Sequence, residues 1–290
     1  MPLTILFPLL SGLAFAGAGL GYKMAERRNC RTPVFILVFA LAGGICSGAR
    51  AFFEATDWLD PRLWVLGLAM GLLFDLAIYF IMQANRLGPA SASWTVLNLG
   101  LLVPVFVSPF ILDEPVKGLD SFIVLIFVLM LLMFSRGMKD TGEIRKGTGI
   151  KYILMLAGLF LAQGCFLLGN KIKHLVFSDT NTAWLAFIVY FSGGAAVLLY
   201  LLATRKRPDI TGNELKAGVI TGGFNSLGII LLLGGMGLPS AIVFPVSAVI
   251  ALAGGIVLTS AVYGERLNKW KLAGMVFGLA ALILAVTRDL

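Results

Sequence analysis

Ten stretches of about 20 mostly apolar residues follow one another along the chain, separated by short polar connections. They cover residues 3–22, 32–53, 62–83, 90–112, 118–135, 150–169, 182–203, 215–234, 239–262 and 270–286. A helix needs about 20 such residues to cross the hydrocarbon core of a bilayer. No stretch alternates polar and apolar residues, as the strands of an outer-membrane barrel do. The expected fold is an all-α integral membrane protein with ten transmembrane helices and no soluble domain. Composition agrees, with 59% of residues apolar and 13% charged, where a soluble domain is about a quarter charged. A disulfide scaffold, a disordered chain and a nucleic-acid binder are excluded with it.

The charges then orient the bundle. Seventeen of the 23 Lys and Arg fall in or beside the connections after the odd-numbered stretches, among them Lys23, Arg27, Arg28, Arg31 and the run Arg205-Lys206-Arg207. Cytoplasmic loops of membrane proteins carry that excess, so both termini are expected outside the cytoplasm, in a bacterial inner membrane. The first stretch lacks the basic start of a signal peptide and is too long for one, which makes it a retained anchor. Cys30, Cys46 and Cys165 have no metal-binding or CxxC spacing. The two inside apolar stretches, Cys46 and Cys165, read as small buried thiols.

The basic connection 136–149 divides the stretches five and five, giving expected units of 1–140 and 150–290. A shift of 150 residues lays one set over the other. Thr32 then falls on Thr182, Gly43-Gly44 on Gly193-Gly194, Phe74-Asp75 on Phe224-Asn225 and Pro89 on Pro239. Because five is odd, the second unit enters the membrane in the opposite sense. Inverted repeats of this kind are a hallmark of secondary transporters, whose substrate site lies near the midplane where the repeats meet.

Short motifs carry a further resemblance. Arg86-Leu87-Gly88-Pro89-Ala90-Ser91-Ala92-Ser93 joins the third and fourth stretches. Tyr263-Gly264-Glu265-Arg266-Leu267 follows the ninth stretch, ahead of Lys271-Leu272-Ala273-Gly274. Leu112-Asp113-Glu114-Pro115 stands at the matching place in the first unit, keeping the acid without the Gly and Arg. In these segments and in its ten-stretch layout, the chain resembles the ten-helix EamA-like members of the drug/metabolite transporter superfamily. That resemblance implies transport of a small metabolite. The acidic second connection, with Glu54, Asp57 and Asp60, lies opposite to the side expected of many such proteins.

Only Asp75 places a charge deep inside a stretch, where a charged side chain costs about 3 kcal/mol even on lenient insertion scales. Gly67, Gly71, Asp75, Tyr79 and Gln83 recur every four residues and share a helix face. Asp75 either pairs with an Arg or with helix amides for structure, or binds substrate or a proton. In the fourth stretch, Ser91, Trp94, Thr95 and Asn98 precede Pro104 and Pro109, and the ninth carries Ser240, Pro245 and Ser247. Each proline removes a backbone hydrogen bond, so both stretches are expected to bend in corresponding positions, either to open a site or to improve packing. Asn225, Thr221, Gln163, Tyr190 and Trp184 read individually as hydrogen-bonded packing residues. Arg50 is expected to snorkel to the interface, and His174 to lie at the surface.

Substrate-binding candidates are therefore Asp75, Tyr79, Trp94, Asn98, Asn225 and Ser247, converging on one midplane cavity, with Pro104 and Pro245 as hinges. No metal ligand set and no cofactor motif is found. An enzyme is not expected, since the single intramembrane Asp and single His make neither HExxH nor a catalytic triad. No Walker A sequence appears, so a gradient is the expected driving force, with Asp75 a candidate for proton coupling. The expected partners are a small-molecule solute and the lipid bilayer, without nucleic acid, and a homodimer is allowed. The competing reading is a non-transporting membrane receptor or partner protein.

Overall fold

The computed structural model describes residues 3–53, 60–87, 90–111, 118–139, 150–177, 182–205, 209–264 and 268–287. Among these, a 3-10 turn, Leu3–Ile5, leads into eleven α-helices and no strand. They are α1 (Leu6–Arg27), α2 (Thr32–Ala51), α3 (Pro61–Leu87), α4 (Ala90–Leu99), α5 (Leu102–Ile111) and α6 (Gly118–Lys139). The second set is α7 (Ile150–Val176), α8 (Thr182–Ala203), α9 (Gly212–Gly234), α10 (Ser240–Tyr263) and α11 (Lys269–Thr287). The motifs at Asp113-Glu114-Pro115 and Glu265-Arg266-Leu267, and residues 140–149 of the central connection, lie outside the described residues, as do Glu54 and Asp57.

Six helices are long and apolar enough to cross a membrane: α2, the α3 segment Pro61–Ala84, the α7 segment Ile150–His174, α8, α9 and the α10 segment Ile242–Tyr263. Large apolar side chains also cover the outside, including Leu13, Ile45, Val65, Leu161, Leu199 and Leu272. An outer surface of that kind is unusual for a protein in water. Both observations are compatible with a multi-pass membrane protein.

The fourth apolar stretch forms two helices rather than one. Their junction is Gly100–Leu101, where the Gly100 amide is shared between the carbonyls of Val96 and Leu97 at 3.2 and 3.3 Å. Pro104 supplies the reason. A proline ring clashes with the carbonyl four residues back and offers no N–H to it, and here that carbonyl belongs to Gly100. It is taken instead by the amide of Val103 at 3.0 Å. In contrast, α10 runs unbroken through Pro245. That proline stands six residues into the helix, where it leaves the Ala241 carbonyl without its usual donor, and the helix nevertheless continues. The two prolines thus have unequal effects. Gly264 ends α10 in the left-handed region, at φ 68°, which favours a residue without a β-carbon.

Helices α2 and α8 cross at the centre and pack on α9 and α3 respectively. Four buried aromatic side chains knit the crossing. Phe39 of α2 meets Phe74 of α3 and Tyr190 of α8 at ring separations of 5.7 and 5.5 Å, and Phe74 stacks on Phe166 of α7 at 4.6 Å. Small residues let the backbones approach, as is common between helices in lipid.

One end of the bundle is tied by a polar clasp. Thr211 caps α9 in a capping box, its side chain accepting from the Glu214 amide while Glu214 Oε2 accepts from the Thr211 amide at 2.9 Å. The same carboxylate accepts from Arg31 at the start of α2, through its amide at 3.0 Å, Nε at 2.9 Å and Nη2 at 3.0 Å. Arg31 Nη2 also donates to the Asp209 carbonyl. Glu214→Ala removes the cap partner and the Arg31 anchor together. It is expected to destabilise the protein by more than the ~1 kcal/mol that loss of an N-cap alone costs, a value that Thr211→Ala measures separately. Equal losses of melting temperature in the two variants would mean that the Arg31 contact adds nothing.

Candidate functional site

Asp75 sits midway along α3 and is 9% exposed. Its carboxyl turns toward α8, where a β-carbon added at Gly193 would lie 2.6 Å from Cγ and from both oxygens. The acid is therefore accommodated because residue 193 is glycine. Asp75 Oδ2 is buried and accepts no hydrogen bond from the described residues, and none of the described ion pairs includes Asp75. Burying a polar oxygen without a partner costs about 1–3 kcal/mol, and more for a charged one. Such an oxygen is a rarity that asks for an explanation.

One turn earlier on α8, Tyr190 is 1% exposed and donates its hydroxyl hydrogen to Asn225 Oδ1 of α9 at 2.8 Å. Its ring fills the space left by Gly43 of α2, where a β-carbon would come within 2.5 Å of it. Asp75 and Asn225 thus project into the same helix crossing, received by Gly193 and Tyr190 respectively. Tyr22 of α1, half-buried against Phe35 and Phe39, lies within electrostatic range of Asp75.

The other candidates take different places. Ser247 is buried, with its hydroxyl 3.2 Å from that of Ser11, which donates to the Gly228 carbonyl at 2.8 Å. It belongs to the contact of α1 with α9 and α10. Tyr79 is 43% exposed. A stripe repeating every four residues drifts about 40° per step around a 3.6-residue helix, so by Tyr79 it has turned away from the face holding Gly67. Asn98 is half-buried on α4 close to the helix break, and the side chain of Trp94 lies outside the described residues. Pro104 is buried beside the break.

Of the remaining residues, Tyr190 proves central, whereas Thr221 donates to the Ala217 carbonyl at 2.7 Å in the α1–α9 contact. Gln163 packs against Gly100, and Trp184 meets the edge of Phe187 at 5.5 Å. Arg50 is exposed at the end of α2, and His174 is half-buried. The expected burial of cysteines is reversed: Cys46 and Cys165 are exposed and Cys30 is buried. Burial pushes the Cys30 thiol upward from its ordinary pKa. Among the described residues no group of acids, His and Cys is arranged to hold a metal ion.

Gly193 and Tyr22 were not singled out as site residues by their own chemistry. The coincidence of Gly43-Gly44 with Gly193-Gly194 in the two halves was the available signal for the first. Nothing in the sequence marks Tyr22, which reaches Asp75 only through tertiary packing.

No family model matches the sequence, and no curated protein matches it. Solved structures do match. One, described as "Crystal structure of protein", is similar over 97% of this chain and 96% of that chain, with a TM-score of 0.73 and 16% sequence identity. A likeness at that identity establishes a fold shared over the whole length.

Proposed function

We propose that the chain is a secondary transporter moving a small metabolite or drug-like solute by alternating access. Its ten crossings form two inverted five-helix repeats, α4 and α5 together making the fourth. The observation that carries this reading is Asp75, whose Oδ2 is buried without a hydrogen-bond partner among the described residues, beside Gly193 of α8. A group that must bind and release a cation or a proton cannot be permanently neutralised by a neighbour, and structural ion pairs lack that freedom.

Reciprocal contacts support the repeat. A β-carbon at Gly194 of α8 would meet Ala40 Cβ of α2 at 3.2 Å, and one at Gly44 of α2 would meet Tyr190 Cβ of α8 at 3.6 Å. These four positions exchange under a shift of 150 residues. Gly67 of α3 packs on Ile188, and Gly71 on the Val189 carbonyl; Gly218 of α9 packs on Val38, and Gly222 on the Phe39 carbonyl. Their α8 and α2 partners keep the 150-residue shift, but the glycines themselves differ by 151. One extra residue between the paired helices of the second half absorbs the difference, and surface connections accept such insertions readily.

With that register the counterpart of Asp75 is Ser226 rather than Asn225, and Asn225 matches Phe74. Ser226 is also fully buried, its hydroxyl without a partner among the described residues. The frame is thus two-fold and the chemistry one-sided. Asp75 serves as the cation- or proton-binding group, and Tyr190 and Asn225 border it. The break at Gly100–Leu101 interrupts the fourth crossing where α10 runs unbroken, so motion is expected to concentrate around Pro104, with Pro245 contributing less.

The test is reconstitution. Proteoliposomes loaded with isotopically labelled metabolite extract, under an imposed pH gradient, are expected to release a small set of solutes that protein-free vesicles retain. Release no different from protein-free vesicles, with every extract and both gradient directions, would remove the transport reading. The charge bias adds an orientation. In a background without the three native cysteines, single cysteines at positions 1 and 290 are expected to react with an impermeant maleimide in intact cells. Labelling only after permeabilisation would invert the topology.

A further inference from the structure

A cleft of about 500 Å³ opens at the end of the bundle that carries the clasp, lined by Met24, Arg27, Arg28, Asn213, Lys216 and Tyr263. It lies where α1 and α10 end and α9 begins. Two basic residues close by are already neutralised: Lys23 by Glu26 at 3.7 Å and Arg31 by Glu214. Among the described residues, no ion pair includes the three cations in the cleft, Arg27, Arg28 and Lys216. Arg27 is instead held over the Tyr263 ring, its guanidinium carbon 4.5 Å from the ring centroid. That contact fixes the direction of its remaining N–H donors.

We infer that this cleft binds a phosphate-bearing anion, gripped by Arg27, Arg28 and Lys216. Cationic side chains brought together in a concavity repel one another, and an anion between them removes that repulsion. Two guanidinium groups and an ammonium suit the several oxygens of a phosphate, and the Asn213 amide adds a neutral donor. An excess of cytoplasmic cations accounts for the presence of these residues near the membrane, but not for their convergence on one hollow while Glu26 and Glu214 pair with Lys23 and Arg31. A lipid headgroup and a soluble phosphate ester present the same chemistry. The inference does not depend on the transport reading.

The full-length protein in neutral detergent, titrated with dioctanoyl phosphatidylglycerol, dioctanoyl phosphatidylcholine or glycerol 1-phosphate, distinguishes these sources by its melting temperature. Phosphatidylglycerol is expected to stabilise, and phosphatidylcholine to have no effect. Stabilisation by the lipid alone assigns the site to a headgroup, and an equal response to glycerol 1-phosphate assigns it to a soluble ester. Arg28→Ala/Lys216→Ala is expected to weaken apparent affinity about thirtyfold, roughly fivefold for each cation near an anionic group. Lys216→Gln alone, at an exposed position, is expected to lose about fivefold, and serves if the double variant folds poorly. Equal responses in wild type and Lys216→Gln, or no response to either phosphate compound, would overturn the assignment.

Discussion

Asp75→Asn is expected to abolish gradient-driven solute flux in proteoliposomes while the melting temperature stays within about 3 °C of the parent, equivalent to roughly 1 kcal/mol in a chain of this size. Asn and Asp have nearly the same shape, so the substitution respects the tight fit against Gly193, where a β-carbon would lie 2.6 Å from the carboxyl. What it removes is the ability to carry a charge. A structural ion pair predicts the reverse, because removing one member of a buried pair strands the other at about 3–5 kcal/mol. No described ion pair involves Asp75, so no such loss is expected. Full flux through a normally folded Asp75→Asn protein would falsify the coupling role. Loss of flux together with a large fall in melting temperature would assign the carboxyl a structural duty instead.

The largest expected effects on stability come from two glycines at the central crossings. A β-carbon at Gly222 would strike the Phe39 carbonyl, and one at Gly71 the Val189 carbonyl. Backbone atoms cannot swing aside as a side-chain tip can, so the helices must separate. Gly222→Ala and Gly71→Ala are each expected to destabilise by about 3 kcal/mol, the upper part of the usual range for overpacking. Gly255→Ala, with nothing within 4 Å of its added β-carbon, is the control and is expected to be neutral. Thermal unfolding of the three variants in detergent measures the differences. Matching losses at Gly71 and Gly222 are what equivalent positions in a repeat require, and a loss at only one of them would count against that equivalence.

The helices were readable in the sequence because the length of an apolar run is a strong signal. Observed helices such as Thr32–Ala51 and Thr182–Ala203 differ little from the apolar runs. Their rotation was not readable. In a bundle whose outside is itself apolar, a Leu or a Cys says nothing about which way it faces. Cys46 and Cys165 could therefore be expected inside and be found outside, and Tyr79 could share a stripe with Asp75 and still be exposed. Pro104 announced a bend and stands beside a helix break, whereas its counterpart Pro245 leaves α10 unbroken. On the proposed repeat, the register taken from the Gly67, Gly71, Gly218 and Gly222 contacts sets Asp75 opposite Ser226, one residue from Asn225. A connection one residue longer changes the register of every later position, and a constant shift along the chain cannot detect it. Asp75 lies against Gly193 of α8, and Asn225 is held by Tyr190 one turn earlier on the same helix. Tyr190 looked like ordinary packing until its hydroxyl was seen to hold Asn225.

The unlike pair Asp75 and Ser226 bears on the energetics of transport as proposed. A hydroxyl does not titrate in the biological range, so among the described residues this crossing offers an ion one carboxyl. A carrier that couples one proton on it to a neutral solute moves one elementary charge per turnover. One charge crossing 100 mV is worth roughly 2.3 kcal/mol, which sustains a concentration ratio of about fiftyfold. The stoichiometry, and with it the steepest gradient that the membrane potential alone can support, would then be fixed by the residue that one half of the duplicated frame lacks.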